Sequence, residues 1–575
     1  MWKKRDDLQT VEEVVQRNSG RTLDELINPK SDTEIVHLED AAQAIRNAIK
    51  NKEHITVAGD YDADGICGAA ILYLTLRKLG AIPVVRLPKR FSEGYGLNLS
   101  MIDTIRNGLL IIVDNGIAAV EEIAKAGRRG IKTVVLDHHI QRKDGQLPPA
   151  DVIVNPHVYS CGGFEDFCGA GLAYRLALTL LEQTDPLLYE LSVLAAIATV
   201  ADVVPLVDDN RRIVIDGLRA LNAGKAPKGL KTLIEQLNLF DVDEGDISFT
   251  IAPTLNAAGR MYDDGAMKPF KLLTHTYQLD SMAEELICIN EKRKAIQVES
   301  METAEQFILD NCMFGDPVII VSTESSSLYQ TIPQGVAGVI AGKLAEKYKV
   351  PAIVLTESEI PGELKGSGRS YGRINLKEAL DTVQSLLVTY GGHPKAVGLT
   401  VTADNIELLR EALNERLRGI NNEDTEEDVL YDLDVDAKEL ASVVQKIKRY
   451  APYGEENRQP VLHIINLPLI PRLSKYSQYM GGDHQHIKLY CGRSLSAVGF
   501  GMASRYTEIG EPIRLNIVGT VFTNKYIDPV GRASKETQIR IADLRPADNI
   551  RTASPLLASV YKHLNALGGN CGSKY

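Results

Sequence analysis

Lys132-Thr133-Val134-Val135-Leu136-Asp137-His138-His139 is the stretch that decides how this chain folds and what it holds. An apolar run of strand type ends in an acid and two imidazoles, groups that together can bind a divalent cation and manage protons. Two other segments repeat the arrangement: Thr56-Val57-Ala58-Gly59 runs into Asp60, Asp62 and Asp64, and Leu109-Leu110-Ile111-Ile112-Val113 runs into Asp114. In an open parallel sheet the carboxyl ends of the strands lie along one edge, where ligands bind. One strand ending in aspartate is usually a turn or a helix N-cap. Three such endings, one extended by His-His, favour a metal cluster.

Strand and helix patterns alternate around these segments. The Asp-rich loop leads into a helix from Ile66 to Leu79, then a strand Val84-Val85-Arg86-Leu87 and a helix from Ser100 to Asn107. A helix from Ala119 to Gly127 separates the strands ending at Asp114 and Asp137, and Val152-Ile153-Val154 is a further strand. Such alternation with short connections predicts βαβ units on a parallel sheet. Beyond it, Gly169 to Leu181 is a small-residue helix and Leu191 to Val204 a strongly apolar one that carries a single acid, Asp202. An acid in so apolar a segment is costly unless paired, and a metal is a credible partner.

A helical connector from about Asp280 to Asn311 leads to a second α/β lobe. Its strands are Pro317 to Val321 and Ala352 to Leu355, and its helices Val336 to Tyr348, Asn375 to Leu387 and Asn405 to Leu417. After the acidic linker Asn422 to Asp428 the pattern switches to short strands around Leu462, His486, Leu515 and Gln538, as in a small β-barrel. We divide the chain into an N-terminal adapter (1–38), a catalytic lobe (39–225), a helical region and connector (226–312), the second lobe (313–420), the barrel (429–548) and a helical tail (549–575).

The 575 residues exceed a single core and fit three or four domains by the usual ~150-residue prior. The start, Met1-Trp2-Lys3-Lys4-Arg5, lacks the apolar core of a signal peptide, and no stretch approaches the ~18 apolar residues of a membrane span, so the expectation is a soluble cytoplasmic protein with no membrane partner. Seven cysteines without framework spacing argue against a secreted disulfide scaffold; Cys161 and Cys168 have no second pair to complete a zinc site, and Cys67 fits a helix core. The net charge of −12 says little about any one groove, because part of the acidity is the linker and part the proposed metal site.

Carboxylates and imidazoles without thiolate suit Mn²⁺ or Mg²⁺ better than structural zinc. Several carboxylates converging from different strands cannot all ionise without cations. Two divalent ions about 3.5–4 Å apart would relieve that repulsion and form the clamp that hydrolyses phosphate esters.

At this point Asp60-Tyr61-Asp62-Ala63-Asp64-Gly65, Val113-Asp114-Asn115-Gly116, Asp137-His138-His139 and Ala201-Asp202-Val203-Val204-Pro205 resemble the successive motifs of the DHH phosphoesterase superfamily. More narrowly they resemble the RecJ family of single-strand-specific 5′→3′ DNA exonucleases. Pro253 to Arg260 is similar to a further motif of that family, Gly366 to Ser370 and Gly391 to Gly398 to the DHH-associated domain, and the barrel to an OB-fold. The resemblance covers most of residues 50 to 545 and implies an α/β protein: a DHH-type parallel-sheet catalytic lobe, a helical connector, a DHH-associated second lobe and a C-terminal OB-like barrel.

The resemblance also implies roles. Asp114 would bridge two ions, Asp64, His138 and Asp202 would complete one site, and Asp62 would serve the other. His139 would sit by the scissile phosphate, and Asp137 and Asp60 would orient ligands or take a metal directly. Many superfamily members carry a histidine four residues before Asp62. Here that place is Ala58, leaving the second ion to bind weakly, to use Asp60 or to arrive with the substrate. Pro333-Gln334 stands where RecJ proteins often show His-Glu.

The second lobe makes independent sense as a phosphate handler. Gly335 to Gly338 opens a helix whose N–H groups attract anions, Arg369 and Ser370 follow a Gly-rich turn, and Gly391-Gly392-His393 allows close backbone approach. Arg260 receives a similar assignment. In the barrel, Tyr476, Tyr479, Lys488, Tyr490 and Lys525 are candidates to stack and grip single-stranded DNA. The expectation is a two-metal exonuclease that releases 5′-mononucleotides from single-stranded DNA in repair and recombination, loaded by a helicase or a single-strand-binding protein. The alternatives are a DHH phosphodiesterase of short oligonucleotides or cyclic dinucleotides, a pyrophosphatase, or a non-catalytic single-strand-binding scaffold.

Overall fold

The computed structural model describes residues 1–30, 33–160, 162–324, 329–419, 428–470, 479–481, 484–527 and 531–547. The acidic linker up to residue 427, the tail from Asn549, Cys161 and Tyr476 lie outside them.

A short strand, β1 (Trp2–Lys4), precedes two capped helices, Val11–Ser19 and Leu23–Ile27. The catalytic lobe then builds one sheet from β2 (His54–Ala58), β3 (Val84–Arg86), β4 (Gly108–Val113), β5 (Lys132–Leu136) and β6 (Val152–Val154), all parallel, in the spatial order β3-β2-β4-β5-β6. Helices cover both faces, which is why β4 reads as an unbroken apolar run rather than an alternation. Ala58 pairs with Ile112 and Val113 with Leu136, so the ends of β2, β4 and β5 are level. The order turns back at β2, which places the acidic ends of β2 and β4 on either side of the switch point where such sheets bind ligands.

The connector is one helix, Leu279–Asp310, whose 32 residues span about 48 Å. Beyond it the second lobe holds β7 (Ile319–Thr323), β8 (Ala352–Glu357), β9 (Glu363–Arg369), β10 (Leu387–His393) and β11 (Ala396–Thr402), in the order β10-β11-β9-β8-β7. Two expectations are corrected here. The helix expected to reach Leu387 ends at Asp381, because Leu387-Val388-Thr389-Tyr390 favours a strand and pairs with β11. The segment Gly366 to Arg369 is strand rather than turn. A Cβ on Gly366 would lie 1.9 Å from the Val354 carbonyl oxygen, so glycine there permits close strand packing.

After β12 (Val429–Tyr431), which lies outside the barrel sheet, the barrel contains β13 (Leu433–Asp436), β14 (Leu462–Pro468), β15 (Tyr479–Met480), β16 (His486–Gly492), β17 (Leu495–Gly499), β18 (Arg514–Ile527) and β19 (Ala533–Pro546). β1 pairs in parallel with β12, and Val11, Val14, Val15 and Leu26 are buried in the barrel's own core. The N-terminal segment thus packs into the barrel's core through Val11, Val14, Val15 and Leu26. Trp2 Nε1 donates to Asp543 at 2.6 Å, and Arg5 and Arg17 both reach Asp432. Arg211 ties the modules together: its fully buried guanidinium donates to the carbonyls of Leu26 (2.6 Å), Pro452 (2.6 Å), Tyr450 (2.9 Å) and Ala451 (3.3 Å). Among the described residues no helix is long and apolar enough to cross a membrane.

Candidate metal centre

The edge formed by β2, β4 and β5 gathers the acids. Asp62 caps the helix Ala63–Lys78, accepting from the N–H groups of Asp64 (3.1 Å) and Gly65 (3.2 Å). A Cβ on Gly65 would lie 2.4 Å from the Asp60 nitrogen, so the glycine that closes Asp60-Tyr61-Asp62-Ala63-Asp64-Gly65 lets the loop fold back on itself. The helix Gly169–Leu180 starts against the same loop. Its first two N–H groups donate to both carboxylate oxygens of Asp64, at 2.6 and 2.7 Å, and a Cβ on Gly169 would lie 2.6 Å from that of Asp114. Asp114 itself takes φ +63°, a left-handed conformation that aspartate tolerates. Asp202 stands just past the end of the apolar helix Leu187–Ala201.

Three donor sets result, each with its ligand atoms within 4.8 Å of one another: Asp64, His138 and Asp202; Asp60, Asp62 and Asp114; and Asp114, His138 and His139. His138 Nε2 lies 3.2 Å from Asp114, 3.7 Å from Asp202 and 3.8 Å from Asp64. His138 Nε2 and Asp60 Oδ2 are buried without a hydrogen-bond partner, as expected of atoms that await a cation. Asp60 thus offers the donor that Ala58 does not. An oxygen-rich set with an imidazole and no thiolate fits Mn²⁺ or Mg²⁺.

The electrostatics agree with that fit. Burial, reinforced by Asp62, raises Asp60 to about 8, and burial with Asp64 and Asp62 raises Asp202 to about 8. Burial and then Asp64 raise Asp62; burial and four neighbouring carboxylates, Asp64 foremost, hold Asp114 well above its ordinary value. A carboxyl whose folded pKa is raised contributes stability below its unfolded pKa and loses it as pH rises through the folded one. Cation-free protein should therefore lose melting temperature between about pH 5 and 8, and added Mn²⁺ should restore most at the upper end. A chelated sample whose melting curve stays flat across that window would contradict the shared burial of these acids.

Asp137 is not a ligand in this arrangement. Its oxygens accept from the N–H groups of Ile117 (2.8 Å), His138 (2.8 Å) and His139 (3.2 Å), and pair with His139 Nδ1 at 2.7 Å. Burial opposes the charge on Asp137, yet the His139 bond and the backbone donors hold it below its ordinary value. Burial likewise opposes the His139 cation, but Asp137, helped by Asp202 and Asp64, raises it to about 9. The Tyr95 hydroxyl meets the other ring nitrogen, His139 Nε2, at 3.1 Å and donates to the Asp114 carbonyl at 3.2 Å.

Beside the acids stands a group of arginines. Arg260 is lowered to about 10 by burial and by its neighbours Arg90 and Arg293. Arg90 stacks over Tyr61 at 4.4 Å, in a loop fixed by Asp263, which accepts from the N–H groups of Phe91 (2.9 Å) and Ser92 (3.0 Å). Arg293 comes from the connector and keeps a buried Nε without a partner. A Cβ on Gly335 would lie 1.8 Å from the Arg260 carbonyl oxygen, so the second lobe's helix Gln334–Tyr348 meets the catalytic lobe here. Gly335→Ala should force the lobes apart and lower strand cleavage about tenfold or more, while each lobe keeps its helical circular dichroism. Unchanged turnover would show that this contact does not set the gap.

Further along, Gly338 faces the Arg369 guanidinium, and burial lowers Arg369. The Ser370 hydroxyl is already committed to the Ile374 carbonyl, and His393 lies exposed on β10, in register with Ala396, which is itself in register with Arg369. The barrel candidates are largely occupied. Lys525 pairs with Asp243 and Asp246 of the catalytic lobe, both at 2.6 Å, Lys488 with Glu536 at 3.0 Å, and the Tyr479 hydroxyl with Glu511 at 2.6 Å. Tyr490 is half-buried beside Lys488.

The sequence reading passed over Arg90, Tyr95 and Arg293. Arg90 follows β3, whose end lies on the same edge as the acids, so extending the strand-end rule to β3 finds it. Arg293 sat in a charged stretch read as spacer, and nothing local marks Tyr95.

Comparison with known proteins bears on each module. The DHH family N-terminal domain matches residues 54–199, the DHHA1 domain 315–419 and the RecJ OB domain 431–543. The single-stranded-DNA-specific exonuclease RecJ of Bacillus subtilis is 33% identical over 89% of this chain, and the chain spans 63% of its length. The RecJ proteins of Salmonella typhimurium (31%) and Escherichia coli (30%) each match over 74% of this chain and 77% of their own length. A crystal structure of RecJ in complex with Mn²⁺ from Thermus thermophilus superposes with TM-score 0.75, 24% identity and coverage of 94% of this chain and 76% of that one. A crystal structure of exonuclease RecJ bound to manganese gives TM-score 0.57 at 28% identity, covering 67% of this chain and 95% of that one.

Proposed function

The chain belongs to the RecJ family, and from that premise we propose that it is a metal-dependent exonuclease that degrades single-stranded DNA from the 5′ end to 5′-mononucleotides, in repair and recombination in the cytoplasm. The observation that carries this is the meeting of three aspartate-tipped parallel strands with His138, giving adjoining donor sets Asp64, His138 and Asp202 and Asp60, Asp62 and Asp114.

In this proposal Asp64, His138 and Asp202 would hold one divalent cation and Asp60 and Asp62 the other, with Asp114 adjoining both sets. When bound, such a pair supplies Lewis acidity toward the phosphoryl oxygens and lowers the pKa of a water. Asp137 fixes the His139 ring and keeps it protonated, so that His139 donates its Nε2 proton to the leaving oxygen. Tyr95 holds that nitrogen until substrate replaces its hydroxyl. Arg90, Arg260 and Arg293, with Arg369 from the second lobe, receive the terminal phosphate. The crowding of Arg90, Arg260 and Arg293 is costly without an anion and is relieved by one. A helicase opening duplex DNA would supply this substrate, with a single-strand-binding protein as a second candidate loader.

The test is digestion of matched single-stranded, duplex and dinucleotide DNA with Mn²⁺, labelled at either end, with a chelator control. Mononucleotide release from the 5′ end of the single strand is the expected result. Turnover confined to dinucleotides would move the protein to the small-substrate branch of the superfamily.

A further inference from the structure

Between the helical end of the catalytic lobe and the barrel lies a cleft of about 920 Å³, lined by Asn222 and Phe249 on one side and by Tyr453, Phe522 and Arg540 on the other. Phe249 is 69% exposed, unusual for a phenylalanine next to so much available packing surface. It lies in a π-helical turn, Ile247–Ile251, a distortion that recurs at functional sites. The Arg540 guanidinium on β19 stands 5.6 Å from the Phe249 ring and 5.4 Å from the Phe522 ring on β18. One guanidinium from the barrel thus lies within cation–π reach of an aromatic ring from each domain, and much of the Phe249 ring stays open.

The cleft's other charges do not make a phosphate grip. Lys525 is taken by Asp243 and Asp246, and Lys535 by Asp241. Glu244 accepts from the Tyr453 N–H at 2.9 Å. Lys448 and the Arg540 guanidinium remain, beside the aromatic rings of Phe249, Phe522 and Tyr453, and these rings suit the face of a nucleobase. The position is also apt. The π-helical turn continues without a break into the helix Ala252–Met261, which ends beside the arginine group. From Phe249 to Arg260 is about 16 Å along that helix, roughly five nucleotides at a stacked 3.4 Å rise.

Resting on the single-strand activity proposed above, we propose that this cleft is a base-stacking subsite that holds a nucleobase of the incoming strand on Phe249, about five nucleotides from the end being cleaved. The subsite accepts any base. Because Phe249 carries no charge, its own contribution varies little with salt, unlike the phosphate contacts at the arginines.

The experiment uses the full chain in chelator, with end-labelled oligothymidylates of four and twelve nucleotides and with 2-aminopurine moved one position at a time along the longer strand. For Phe249→Ala, the affinity for the twelve-mer should fall about 5- to 100-fold relative to that for the four-mer, equally at low and high salt. The 2-aminopurine quench near the fifth position should disappear. Phe249→Leu, which keeps the apolar volume but not the plane, should behave the same way, and Phe500→Ala, at an exposed aromatic elsewhere on the barrel, should leave the ratio as in the wild type. Loss of both oligomers by the same factor, or an unchanged quench, would overturn the subsite. A wild-type chain that binds neither oligomer would overturn the single-strand activity itself.

Discussion

Asp114→Asn should reduce hydrolysis of single-stranded DNA by more than about 10³-fold, beyond the 10²–10³ typical of deleting one oxyanion donor. Asp114 belongs to the set with Asp60 and Asp62 and lies 3.2 Å from His138 of the other proposed site, so its loss damages both cation sites at once. Asparagine is the informative replacement because it keeps the shape and tolerates the φ of +63° that alanine would resist. The fold should survive. Buried among Asp64, Asp62, Asp60 and Asp202, the native carboxylate is a source of repulsion, so the cation-free variant should melt no lower than wild type and should lose most of its Mn²⁺-induced rise. Turnover within tenfold of wild type would remove Asp114 from the centre of the mechanism.

The second large effect is on architecture. Arg211→Met should cost about 3–5 kcal/mol at the junction of barrel and catalytic lobe. Methionine fills similar volume, so the loss comes from the carbonyls of Leu26, Tyr450 and Ala451, which would lose their side-chain donor, and of Pro452, which would keep only Asn457. The chain has one tryptophan, Trp2, held in the barrel module between Arg545 (4.4 Å) and His463 (5.1 Å). Its fluorescence should report barrel loosening at lower denaturant than the helical signal of the catalytic lobe. If both probes keep the wild-type midpoint, Arg211 is not the tie between modules.

Much of this molecule is legible from one-dimensional pattern. β2, β4 and β5 are buried on both faces and announce themselves as apolar runs, and their shared edge follows from parallel topology alone. Hence Asp60, Asp62, Asp64, Asp114 and His138 could be grouped before any coordinates. Other features depend on partners that sequence does not name. Lys525 has the charge of a DNA contact, but Asp243 and Asp246 neutralise it from another domain. Gly366 has the composition of a turn, yet its lack of a side chain serves strand packing against Val354. For Asp137 the sequence leaves two roles open, orienting a ligand or taking a metal, and only the structure shows its oxygens occupied by backbone donors and His139.

The parallel pairing of β1 with β12 bears on how the chain is made. Trp2 and the Asp543 carboxylate that holds it are 541 residues apart. At about 5–20 residues per second, a ribosome needs roughly 30–110 s between making one and the other. Through that interval Val11, Val14, Val15 and Leu26 have no barrel to cover them, although the catalytic lobe already has its own core. The nascent chain thus carries a sticky apolar segment ahead of a folded lobe. A product ending before β12 should keep every acidic motif and still aggregate, unless its first thirty residues are removed as well.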